Sequence, residues 1–124
     1  MDAGRERLIL LVDDEPDLLT TCERLLRRGG YDVVSVGSVY AAVATLQVRP
    51  PRLVVSDVRL PDGTGLDVVR AARALATPAA AIVMTGQPST PGRQAALAAG
   101  AAAYLPKPFS AGGFTDLVEK VLRP

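Results

Sequence analysis

Leu8-Ile9-Leu10-Leu11-Val12-Asp13-Asp14-Glu15-Pro16 is the stretch on which the fold turns. Its apolar residues run without interruption, whereas a half-exposed strand alternates apolar and polar positions. An unbroken run of this length suits a parallel strand covered on both faces. Two carboxylates end it, and Asp14-Glu15-Pro16 opens a helix whose first turn tolerates the proline. Leu18, Leu19, Cys22, Leu25 and Leu26 then recur at helical spacing until Gly29-Gly30 stops the segment. The whole makes one β–α unit.

Four more units follow. Asp32–Val36 reads as a second strand, and Ser38 caps a helix using Val39, Ala42, Val43 and Leu46, ended by Pro50-Pro51. Leu53–Asp57 is the third strand. A turn-rich loop, Pro61-Asp62-Gly63-Thr64-Gly65, leads to a helix with Leu66, Val69, Ala72 and Leu75 inward. Ala80–Met84 is the fourth strand, and Thr90 caps a short alanine-rich helix beginning near Pro91 and closed by Gly100. Ala101–Leu105 is the fifth strand. A last helix starts near Ser110 with Phe114, Leu117, Val118, Val121 and Leu122 on its face. Strands alternating with helices predict an α/β fold, an open doubly wound five-stranded parallel sheet with helices on both faces. Strand order does not follow from periodicity. The common order 2-1-3-4-5 would set the first and third strands together at the topological switch point.

A chain of 124 residues is long enough for one domain with a real core. Residues 1–7 read as an N-terminal tail and 8–124 as the domain. The formal net charge of +1 marks no broad nucleic-acid or membrane surface. With Cys22 as the single cysteine, no internal disulfide can form, and its helical spacing makes it core filler. Histidine is absent, which excludes histidine catalysis and histidine metal ligands within the chain. The first apolar run meets Asp13 too soon for a signal peptide or membrane span. A reducing, cytoplasmic location is expected.

The chemistry lies where the strands end. Asp13 and Asp14, Asp57, Thr85 and Lys107 follow four different apolar stretches, and parallel strands deliver their C-termini to one ligand-binding edge. Carboxylates ~4 Å apart repel by about 1 kcal/mol in water and about 4 at an effective dielectric of ~20. Such a cluster calls for a cation. Oxygen ligands without His or Cys select Mg2+, Mn2+ or Ca2+, and few protein ligands suit Mg2+ best. Beside a cation, Asp57 can act as a carboxylate nucleophile toward phosphorus, with Lys107 and the Thr85 hydroxyl on phosphoryl oxygens. Singly, each residue has an ordinary reading: a helix cap, a loop acid, a strand-ending threonine, a surface lysine. Together they mark four of the five strands at the same edge.

Val12–Pro16, Asp57–Asp67 (Asp-Val-Arg-Leu-Pro-Asp-Gly-Thr-Gly-Leu-Asp), Met84–Gly86 and Tyr104–Phe109 (Tyr-Leu-Pro-Lys-Pro-Phe) resemble the motifs of bacterial two-component response regulator receiver domains. The resemblance covers essentially the whole chain and implies the flavodoxin-like order 2-1-3-4-5. It implies that Asp57 accepts a phosphoryl group from a phosphohistidine on a sensor histidine kinase or phosphotransfer protein. Asp14 and Asp57 would then bind Mg2+ directly, Asp13 largely through water, and the Arg59 backbone carbonyl would complete the protein ligands. Thr85 and Tyr104 match the family's switch pair, and Lys107-Pro108 matches a lysine followed by a cis proline. Such a protein is a switch and not an enzyme, catalysing only its own phosphorylation and dephosphorylation. Its output passes through the fourth helix, fifth strand and fifth helix, a surface that also admits a homodimer. Direct nucleic-acid or membrane binding by this domain is not expected.

Arg59, Gly86, Gln87, Pro88 and Pro91 occupy positions that vary in the family, which leaves the phosphorylated lifetime open. The alternative reading is a pseudo-receiver, with the same fold and a silent site, acting as an interaction module. An aspartyl phosphatase would resemble Asp-x-Asp at its nucleophile, and Arg59 holds the second position instead. A flavin site is disfavoured by the acidic first loop. The chain is either a stand-alone regulator or a receiver cut from a longer protein, with transcription as the expected output.

Overall fold

The computed structural model describes residues 3–123. Five strands, β1 (Leu8–Val12), β2 (Asp32–Val36), β3 (Leu53–Asp57), β4 (Ala80–Thr85) and β5 (Ala103–Pro106), form one sheet. Every pairing is parallel, and the order is β2-β1-β3-β4-β5. Strands β1 and β3 are therefore neighbours, with Val12 opposite Ser56. The expected fold class and strand order are borne out.

Five helices cover the sheet: α1 (Pro16–Arg28), α2 (Val39–Val48), α3 (Gly65–Arg73), α4 (Thr90–Ala99) and α5 (Ala111–Leu122). Alternate residues of a strand face opposite ways, and the core divides accordingly. Ile9 and Leu11 of β1 pack with Cys22 and Leu26 of α1 and Phe114 and Val118 of α5. Leu10 and Val12 join Ala42 and Leu46 of α2 and Val68 and Ala72 of α3. A smaller cluster, Ala81, Val83 and Ala96, seats α4. The central strands β1 and β3 are buried along their whole length, β1 entirely by apolar residues and β3 by Leu53–Val55 followed by the polar Ser56 and Asp57.

Several local expectations are corrected. Ser89, not Thr90, caps α4: its hydroxyl accepts the Gly92 N–H at 3.0 Å. Strand β5 begins at Ala103 because Gly100 turns left-handed (φ 112°) and the Ala101 N–H returns to the Ala96 carbonyl. Helix α3 ends before Leu75, and Val68 is buried on its inner face. Neither Asp14 nor Glu15 caps α1 with its side chain. The expected tail contains a helical turn, Ala3–Glu6. Arg5 donates to the Thr77 carbonyl at 2.8 Å and Arg7 to the Gly30 carbonyl at 2.7 Å, so this segment is pinned to the body. Met1, Asp2 and Pro124, at the expected ends of tail and domain, lie outside the described residues.

Candidate functional site

The residues that end β1, β3 and β4, and the loop after β5, meet at one edge of the sheet. Asp13 continues the alternation of Ile9 and Leu11 on the face covered by α1 and α5, and it is completely buried. Both its oxygens are engaged: Oδ1 accepts the Glu15 N–H at 2.9 Å, and Oδ2 accepts from Lys107 Nζ at 3.0 Å. Asp14, one residue on, is exposed. Asp57, the last residue of β3, is 8% exposed, which leaves its carboxylate at the floor of an open depression. Asp13, Asp14 and Asp57 each offer an oxygen, and the three atoms lie within 4.8 Å of one another.

Lys107 is the counter-charge. Its ammonium reaches Asp13 at 3.0 Å, Asp57 Oδ2 at 3.3 Å and Glu15 at 3.3 Å. Burial by itself would lower the Lys107 pKa, but the hydrogen bond and charge of Asp13, with Asp57 and Glu15, outweigh it and raise it. For Asp57, burial raises the pKa and Asp13 adds to this, while Lys107 opposes and the Arg59 N–H hydrogen bond helps the anion. Burial wins. The Lys107–Pro108 peptide bond is cis.

Thr85, the last residue of β4, is buried at the same edge, and its hydroxyl accepts the Gln87 N–H at 3.0 Å. The Gln87 side chain in turn accepts from Arg59. A depression of about 290 Å3 is lined by Asp57, Thr85, Lys107, Glu15, Arg59 and Gln87. It is large enough for a tetrahedral oxyanion beside Asp57. Tyr104 lies to the side, on β5, half-buried, with its hydroxyl accepting the Ser89 N–H at 3.1 Å. A larger groove of about 630 Å3 opens from Lys107 between α1 and the start of α5.

Two supporting residues escaped the sequence reading. A side chain on Gly65 would put its Cβ 2.0 Å from the Asp57 carbonyl oxygen. The Gly65 N–H donates to the Val58 carbonyl at 2.8 Å, and a short antiparallel ladder pairs Arg59 with Thr64. This closed loop fixes the end of β3, and only a glycine permits the approach. Asp62, at the loop's tip, accepts the Val39 and Tyr40 N–H groups at 2.8 and 2.9 Å, joining the loop to α2. An acid beside a glycine in a turn carried that signal only weakly.

The donor set fits Mg2+. Carboxylate oxygens cluster without nitrogen or sulfur donors, and the exposed Asp14 and the open side of Asp57 face solvent that could complete an octahedron.

A family model for the response regulator receiver domain matches residues 9–120. The photosynthetic apparatus regulatory protein RegA of Rhodobacter capsulatus is 37% identical over 115 residues, covering 93% of this chain and 62% of that protein. The transcriptional regulatory protein PrrA of Mycobacterium tuberculosis is 34% identical over 124 residues, 99% of this chain and 53% of the other. The chain thus spans between half and two thirds of the length of these relatives. Among solved structures, a CheY-like receiver domain from Methanospirillum hungatei superposes with a TM-score of 0.88 at 28% identity, over 94% of this chain and 93% of that one. The receiver domain of a Pseudomonas aeruginosa sensor histidine kinase, with magnesium coordinated in its active-site cleft, gives 0.85 at 29% identity, over 95% and 98%. No described helix is long and apolar enough to cross a membrane. Matched along nearly its whole length in sequence and in fold, the chain belongs to the response regulator receiver domain family.

Proposed function

We propose that this domain is the Mg2+-dependent phosphoacceptor switch of a two-component phosphorelay, with Asp57 as the acceptor. The observation that carries the reading is the Asp57 carboxylate at the floor of an open depression, 3.3 Å from the Lys107 ammonium and beside two further carboxylates. One oxygen of Asp57 attacks the phosphorus of a phosphohistidine on a sensor kinase or phosphotransfer protein. The new O–P bond forms as the P–N bond breaks, the imidazole leaves, and an acyl phosphate remains. These 124 residues hold no histidine, so a phosphohistidine donor lies outside this domain.

Lys107 neutralises one phosphoryl oxygen and the Thr85 hydroxyl donates to another, after exchanging its present bond from Gln87. Asp14, Asp57 and the Arg59 carbonyl would hold Mg2+, and Asp13, whose oxygens are already engaged, would act through water. When bound, the metal offsets the negative charge that gathers on the transferring group. Thr85 and Tyr104 carry the phosphorylated state to α4, β5 and α5, the surface for an output domain, a partner or a second copy. The relatives named for regulating transcription support a transcriptional output. Complete assembly of the chemical groups favours this over a silent pseudo-receiver.

Intact-mass spectrometry after incubation with acetyl phosphate tests the reading. The expected result is a gain of one phosphoryl group that requires Mg2+ and is lost in EDTA. No gain at millimolar Mg2+ would reject it.

A further inference from the structure

Helices α4 and α5 start in the same way, and the difference between them is informative. Each has a serine cap, Ser89 or Ser110, whose hydroxyl accepts the N–H of a glycine three residues on, Gly92 or Gly113. A methyl group on Gly113 would meet only the cap hydroxyl, at 2.9 Å. A methyl on Gly92 would meet its cap hydroxyl at the same distance and also the Tyr104 hydroxyl, at 3.0 Å. That second contact is tighter than carbon and oxygen ordinarily tolerate.

Tyr104 is thus held by the first turn of α4 in two ways. Its hydroxyl accepts the backbone N–H of the cap residue itself, Ser89. Its ring fits because residue 92 has no side chain. A cavity of about 140 Å3 lies beside the ring, between Gly92 and Ala95 of α4 and the side chains of Val58, Leu66 and Thr85. The ring has somewhere to go.

We propose that Gly92 is the positioning residue for Tyr104, the vacant site on α4 that lets the phenol remain at the helix cap instead of the cavity beside Thr85. A side chain at position 92 crowds the phenol and loosens its hold on the cap, which biases the domain away from the resting state. The proposal rests on the reading of Thr85 and Tyr104 as a switch pair. It adds that the cap of α4 and the ring are one mechanical unit, so the first turn of α4 sets the resting state.

The test uses the whole domain with fluorinated tyrosine, which labels Tyr31, Tyr40 and Tyr104. Tyr104→Phe assigns the third resonance. Gly92→Ala should shift the Tyr104 line, leave Tyr31 and Tyr40 in place, and move Tyr104 in the direction produced by acetyl phosphate and Mg2+ in the unaltered protein. Gly113→Ala is the control for the cap contact and should leave all three lines unmoved. Helix propensity alone makes alanine the better residue at both positions. Relative to Gly113→Ala, Gly92→Ala should therefore lower the melting temperature, and Tyr104→Phe should abolish that difference. An unmoved Tyr104 line, or a Gly92→Ala effect on melting that persists unchanged with Tyr104→Phe, would overturn the proposal. If Gly92→Ala moves the ring while acetyl phosphate does not, the positioning stands and the switch pair is rejected.

Discussion

The Lys107 ammonium lies 3.3 Å from the Asp57 carboxylate although the two residues sit on different, non-consecutive units of the chain. It lies closer still, 3.0 Å, to the fully buried Asp13. One cation therefore faces several carboxylates, and the pocket is short of positive charge.

Asp57 shows that shortage. Burial and Asp13 raise its pKa in the folded state above the ordinary carboxylate value. A carboxyl with a raised folded pKa favours folding when protonated, so ionisation costs stability as pH climbs past ~3.9 and through the folded value. At neutral pH the whole cost is present. Asp57→Asn should raise the melting temperature in metal-free buffer by roughly 2–5 °C. Added Mg2+ should stabilise the unaltered protein, by roughly 1.4 kcal/mol at ten times its dissociation constant, and should narrow the gap. Calorimetry showing a lower melting temperature for Asp57→Asn without metal would contradict the repulsion argument.

Gly65 stands where a Cβ would lie 2.0 Å from the Asp57 carbonyl oxygen. That neighbour is backbone and cannot swing aside. Gly65→Ala should cost roughly 2–4 kcal/mol in urea unfolding, far beyond the modest effect of alanine at an open glycine such as Gly112. Equal unfolding midpoints for the two substitutions would show that the loop after β3 yields.

Asp62 accepts two backbone N–H groups from the start of α2, which hold its pKa below the ordinary carboxylate value. A depressed folded pKa means that the stabilisation is present above the unfolded value of ~3.9 and disappears as pH falls through the folded one. Asp62→Ala should melt lower than the unaltered protein at pH 7. The difference should shrink once pH drops below about 4. A difference independent of pH across that range would mean that the carboxylate charge plays no part in the cap.

Cys22 is 1% exposed, and burial, with Asp13, pushes its thiol up to about 11. Only a thiolate alkylates readily, so ionisation alone should slow iodoacetamide modification at pH 8 roughly a hundredfold against the unfolded chain. Peptide mass spectra over time would measure this. Rapid labelling of the native protein would show that α1 opens locally.

Much of the fold is legible in the sequence because the central strands are buried on both faces and carry consecutive apolar residues. Leu8–Val12 is apolar throughout and Leu53–Val55 begins β3, and both strands match their expected bounds. The meeting of Asp13, Asp57, Thr85 and Lys107 is legible too, since parallel strands point their ends one way. Adjacent acids are harder to separate. Asp13 is buried and Asp14 exposed, and the partner that holds Asp13 inside, Lys107, lies far along the chain. Thr90 and Ser89 are equally good caps by residue type, and backbone geometry chooses Ser89. The need for Gly65 is a tertiary contact between a loop and the carbonyl of the strand before it. Local pattern carries no trace of that.

The most direct test asks where the phosphoryl group resides. Borohydride reduction of an acyl phosphate converts its aspartate to homoserine, a change that peptide mass spectrometry can locate. After treatment with acetyl phosphate and Mg2+, the conversion should fall on Asp57 alone and vanish in Asp57→Asn. Conversion at Asp13 or Asp14 in the unaltered protein, or none at Asp57, would contradict the assignment.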